Sequence, residues 1–135
     1  MKYFTIKELS RSATADKMHI DNTPDATAVR NLTLLVDNIL DPLREKFGKP
    51  IYVNRGYSNP YVNKAVGGAD NSQHQYGEAA DITAQNPSDN AELFRIIKEE
   101  LPFDQLIWEK GNDKFPAWIH VSYVKAPRHS VLRIK

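Results

Sequence analysis

The chain contains no cysteine. Disulfides, thiolate zinc clusters and a cysteine nucleophile are therefore excluded, and any bound metal must be held by histidine and carboxylate. A surplus of one charge is also lacking: 18 Lys and Arg stand against 17 Asp and Glu, a formal net charge of +1. A broad electrostatic grip on nucleic acid or anionic lipid needs a basic excess, so neither partner is expected. No run of about 20 apolar residues occurs, so no membrane-inserted helix is predicted. The opening residues MKYFTIKELSRSA turn polar at once and lack the apolar centre of a signal peptide. Internal repeats and low-complexity tracts are absent. What is present, 135 residues of which 41% are hydrophobic and 26% charged, predicts one globular domain over 1–135 with a single core.

Periodicity then divides the chain. FTIKELSRSATA reads as a short helix capped by Thr5. In the segment from Asp21 to Pro50, apolar residues recur at Val29, Leu32, Val36, Ile39 and Leu43, the spacing of one helix face. Thr23 before Pro24 predicts its start and Gly48 its stop, while Pro42 predicts a kink or a split. IYVN is a short strand. Residues 55–78 are rich in Gly, Asn, Asp and Ser, with room for a short helix at Pro60–Val66. A loop of that length in a small domain is expected to carry function. AADIT is a second strand. PSDNAELFRIIKEEL is a helix capped at Ser88 or Asp89, with Leu93, Phe94 and Ile97 inward. DQLIWE and AWIHVSY predict an antiparallel pair across Lys110–Pro116, and SVLRIK an added edge strand. Helices first and strands afterwards give an α+β fold, a small mainly antiparallel sheet with helices packed on one face.

Of the four histidines, His19 and His129 lie in polar contexts and read as surface residues. His120 differs. Alternation in WIHVSY puts Trp118, His120 and Ser122 on one strand face and the more apolar Ile119, Val121 and Tyr123 on the other. His74 and Asp81 bracket QYGEAA, where Gly77 permits a turn and Ala79 and Ala80 leave space. Two imidazoles and a carboxylate form a common three-ligand set for catalytic zinc.

These motifs carry a resemblance. NLTLLVDNILDPLR, NKAVGGADNSQHQYGEAADI, FDQLIWE and WIHVSY, with FTIKELSRSATA and IDNTP before them, resemble the D-Ala-D-Ala carboxypeptidase family of zinc peptidases. That family shares its fold with the hedgehog signalling domain, and the likeness is closest to its small phage and bacterial peptidoglycan peptidases. The resemblance implies a zinc enzyme with His74, Asp81 and His120 as ligands. It implies cleavage in peptidoglycan stem or cross-link peptides, either at D-Ala-D-Ala or at L-Ala-D-Glu. In several members the general base lies three residues before the last histidine. Here that position is Ala117, and Glu109 is the substitute expected, against the alternative of a strand-end surface carboxylate. Glu78 and Asp113 read as solvated loop charges. The family's S-G-Y-R clamp becomes NRGYSNP: Ser58 stands at the arginine position beside Tyr57, and Arg55 either supplies the guanidinium or turns away into a surface ion pair. Ser72 either bonds the substrate backbone or caps its own turn. The expected species is a monomer made in the cytoplasm that meets the cell wall after lysis or as part of a virion. A non-enzymatic zinc-containing module that binds the cell wall or builds the virion is the alternative.

Overall fold

The computed structural model describes all residues, Met1–Lys135. Thr5 caps α1 (Ile6–Ser10), its side chain accepting from the Glu8 amide, but the expected single helix is two: Ser12 caps a second, α2 (Ala13–Lys17). The long helical region begins at α3 (Ala26–Leu35), two residues later than Thr23 suggested. Asp25 is the cap, accepting from the Ala28 amide, and Thr23 instead bonds Asp21. Pro42 has the expected effect. Val36–Leu40 loosens into a π turn, the Asp41 amide donating to the Val36 carbonyl five residues back, and α4 (Asp41–Phe47) follows. Pro42 has no N–H to give to the preceding turn, and the wider π turn before it accommodates that gap in the helical ladder. Gly48 ends the helix in the left-handed region at φ 75°.

Five strands follow or interleave: β1 (Ile51–Arg55), β2 (Ala79–Ala84), β3 (Gln105–Glu109), β4 (Trp118–Ser122) and β5 (Ser130–Ile134). Between β1 and β2 lies α5 (Pro60–Ala65), and between β2 and β3 lies α6 (Asn90–Glu100). The sheet order is β1-β2-β4-β3-β5, antiparallel except for the edge strand β5, which runs parallel to β3. This is the α+β arrangement expected. The core fills the space between one sheet face, with Ile82, Leu106, Ile119 and Val121, and the helical residues Leu32, Leu35, Val36, Ile39, Leu93 and Ile97. Phe94 is only partly buried, packed edge-on against Trp108, and Ile96 takes the inward place predicted for it. With every helix-facing residue of β4 apolar, polar chemistry is confined to the other face.

Candidate metal centre

Strand register assembles the site. Arg55 pairs with Asp81 across β1 and β2, Asp81 with His120 across β2 and β4, and His120 with Ile107 across β4 and β3. Directly opposed residues share a face, so one row across the sheet carries an arginine, an aspartate and a histidine side by side. His74 comes to the same point from a 3-10 turn, Gln73–Tyr76, that ends at Gly77 in the left-handed region. A Cβ on Gly77 would lie 2.6 Å from the Ala28 carbonyl oxygen, so both conformation and space require glycine there. Of the two alanines, Ala79 shares the Asp81 face, while Ala80 packs in the core and clears nothing at the site.

His74 Nε2 lies 3.4 Å from Asp81 Oδ1, and His120 Nδ1 lies 3.1 Å from the same oxygen. The three donor atoms all fall within 4.8 Å of one another. A tetrahedral zinc with ligand bonds of about 2.0–2.2 Å has ligand-to-ligand edges of roughly 3.3–3.6 Å. The donor set therefore fits zinc with little movement. His74 is also held as a ligand should be: its Nδ1–H donates to the Gly56 carbonyl at 2.8 Å, which leaves Nε2 as the free donor atom. His74 is 3% exposed, so its orientation is fixed by packing as well. Burial works against the Asp81 carboxylate, but the His120 and His74 imidazoles beside it outweigh that and hold its pKa well below the ordinary aspartate value. The carboxylate is thus ionised and ready to ligate.

The three donors open into a cleft of about 640 Å³, walled by Gly67–Ala69 and Ser72 on one side and by Gln105, Glu109 and Arg128 on the other. Glu109 pairs with Trp118, two residues from His120, and so faces the same cleft. Burial raises its pKa, and the Asp81 carboxylate adds to the rise. Arg55 also lines the cleft. Its Nε donates to Ser58 Oγ at 3.0 Å and its Nη2 to Asn63 Oδ1 at 2.8 Å, both neutral acceptors. It therefore makes none of the surface ion pairs that the sequence left open, and its charge has no counterion in contact. Tyr57 and Ser58 do not line the cleft. Tyr57 belongs to the core, and the fully buried Ser58 acts on Arg55 and, through its amide, on the His74 carbonyl. The substrate-binding part that their place in the clamp motif suggested is thus not theirs in this cleft: Ser58 supports Arg55 and Tyr57 packs in the core. Ser72 lines the cleft and also caps the 3-10 turn by accepting from the His74 amide, so its two readings coexist. Glu78 lies by Arg30 and Tyr123, away from the donors, and Asp113 is exposed in an ion pair with Arg133. His19 and His129 are exposed, as expected. A more open concavity of about 930 Å³ beside α1 and α2 holds no histidine.

Sequence reasoning missed Asn63, Asp104, Gln73 and Arg128. Asp104 is 1% exposed and accepts from Arg128 and from Gln73, the neighbour of His74. No motif marks these residues: Asp104 meets Gln73 and Arg128 from 31 and 24 residues away, and Asn63 meets Arg55 only through the fold of the segment between β1 and β2.

The profile of the family described as Peptidase M15 matches residues 2–122, a span that contains every side chain of the metal centre. Over 46 residues the chain is 50% identical to the zinc D-Ala-D-Ala carboxypeptidase of Streptomyces albus G. That match covers 33% of this chain and only 18% of the length of that relative.

Proposed function

The chain belongs to the peptidase M15 family, and from that premise we propose that it is a zinc-dependent peptidase hydrolysing peptide bonds of bacterial peptidoglycan. The observation that carries this reading is the convergence of His74, Asp81 and His120 on one sheet face, with Glu109 in the same cleft. His74, Asp81 and His120 hold the metal. Zinc bound there supplies Lewis-acid chemistry, making water nucleophilic near neutral pH and polarising a carbonyl. Glu109 serves as general base and then acid, taking a proton from the attacking water and delivering it to the leaving amine. Its raised pKa suits both halves of that shuttle better than an ordinary surface glutamate would. Arg55, charged and without a counterion, orients the peptide by bonding a substrate carboxylate or carbonyl through the nitrogen that Ser58 and Asn63 leave free. The name of the Streptomyces relative supports the D-Ala-D-Ala bond as the first substrate to try.

Zinc-loaded protein is expected to release muropeptides from purified peptidoglycan, identified by mass analysis, and to stop when a chelator is added. His120→Ala should lose both zinc and activity. Glu109→Gln should keep zinc and lose about 10²–10⁴ in kcat. Zinc retained with no turnover on any wall substrate would instead support a binding module.

A further inference from the structure

Arg128, in the segment before β5, is the second guanidinium of the cleft. Its side chain is 60% exposed, yet it is not free to wander. Nε and Nη2 donate to the two Asp104 oxygens, each at 2.9 Å, and the Arg128 amide donates to the same carboxylate at 2.9 Å. Gln73 Nε2 supplies a fourth donor at 2.9 Å. Four donors saturate a carboxylate, and Asp104 itself is buried, so the pair is fixed from below. An exposed arginine normally loses much of its rotamer entropy when it is immobilised. Here that loss is already incurred before any ligand arrives, Nη1 has no acceptor in the protein, and the residue lines the cleft.

Arg55 is built the same way. Its Nε and Nη2 are occupied by buried acceptors and its Nη1 is unused. The two arginines stand on opposite margins of the metal centre. Arg55 belongs to β1, whereas Arg128 is anchored at Asp104, the residue before β3. Three strand steps of about 4.8 Å, roughly 14 Å, and an offset of roughly 10 Å along β3 from Ile107, in the row of Arg55, to Asp104 separate the anchors by about 17 Å, less the inward reach of two long side chains. A peptide residue advances about 3.5 Å, so three or four residues bridge the gap across the metal.

We propose that Arg128 is a specificity-determining receptor for a substrate carboxylate, so that the cleft selects peptides bearing one carboxylate for each arginine. This rests on the peptidase reading above for its substrate class. Stem peptides with a γ-linked D-glutamate have that chemistry: a free α-carboxylate within the chain and another at the C-terminus, three residues apart.

The test is titration calorimetry with zinc-loaded Glu109→Gln protein, which binds without turnover. The probes are N-acetyl-L-Ala-γ-D-Glu-L-Lys-D-Ala-D-Ala and its two mono-amides, one at the D-glutamate α-carboxyl and one at the C-terminus. With Arg128 intact, each amide is expected to bind at least about tenfold more weakly than the acid, the scale of one charge-assisted hydrogen bond. In the Glu109→Gln, Arg128→Gln double variant one of the two differences should fall below twofold while the other persists. Arg128→Lys, which keeps the charge without the fork, should restore part of it. Unchanged acid-to-amide ratios in the double variant would overturn the assignment, as would failure of all three peptides to bind. So would equal weakening of all three with loss of zinc affinity, which is what a purely structural role through Asp104 and Gln73 predicts. Peptides that bind with the expected signature but are not hydrolysed by the unaltered zinc-loaded protein would overturn the peptidase reading and leave Arg128 as a carboxylate receptor.

Discussion

At the scale of single residues, the site holds groups that the fold would be more stable without. Glu109 has its pKa raised by burial and then by Asp81, so folding disfavours its charged form. The destabilisation is fully present above the folded pKa and vanishes below the unfolded value of 4.5. In metal-free protein, Glu109→Gln should therefore raise Tm at pH 7 and leave it unchanged near pH 4, measured by thermal unfolding at both. Asp104 behaves in the opposite sense. Its hydrogen bonds from Arg128 outweigh desolvation and bring its pKa down to about 2 from 3.8. It stabilises the fold above pH 4, by on the order of 1–2 kcal/mol, and that contribution is lost as pH falls toward 2. Wild-type protein should lose more stability than Asp104→Asn over that interval, in denaturant titrations taken at each pH. The ligands at this scale were legible because histidine in an alternating strand and a glycine-spaced His–Asp pair are unusual. Asp104 was not, since its partners Gln73 and Arg128 lie 31 and 24 residues away.

At the scale of elements, the site depends on how tightly the ends of β1 and β2 are tied. Gly56 follows β1, and its carbonyl orients the His74 ring. A Cβ there would collide with the Leu9 backbone at the end of α1. Gly56→Ala should displace that carbonyl, destabilise the fold by about 1–3 kcal/mol and weaken zinc binding measurably in competition with a chromogenic chelator. Asn90, fully buried at the start of α6, does similar work for β4. Its Oδ1 accepts from the Ala84 amide at 2.7 Å, and its Nδ2 donates to the Pro116 and Ala117 carbonyls at 3.1 Å. Asn90→Ala leaves these buried groups unpaired and should cost about 2–4 kcal/mol, read as a lower urea midpoint with unchanged m. Period and strand pairing were read correctly from the sequence, because alternation is a local property. The caps at Asp25 and Ser12 were missed, because Thr23, Asp25 and Ser12 all have oxygens of the right reach and only the chain's path decides which amide each one meets.

At the scale of the whole molecule, the helices occupy one sheet face and the polar row Arg55, Asp81 and His120 the other. A metal held by His74, Asp81 and His120 would bridge β2, β4 and the loop bearing His74. Zinc should stabilise the folded chain by about 2.7 kcal/mol at a free concentration one hundred times its Kd. In thermal unfolding, Tm should rise with zinc for the wild type and stay flat for His120→Ala. No helix is long and apolar enough to cross a membrane.

The sequence by itself determined the fold class and the exclusion of thiolate chemistry, since these depend on composition, period and residue type, and its resemblance to a peptidase family pointed to His74, Asp81 and His120, which the tertiary structure brings together. It left Arg55 ambiguous and was silent on Arg128. An arginine's direction depends on which acceptors surround it, and those acceptors, Ser58 and Asn63 for one and Asp104 for the other, were placed by the tertiary structure alone.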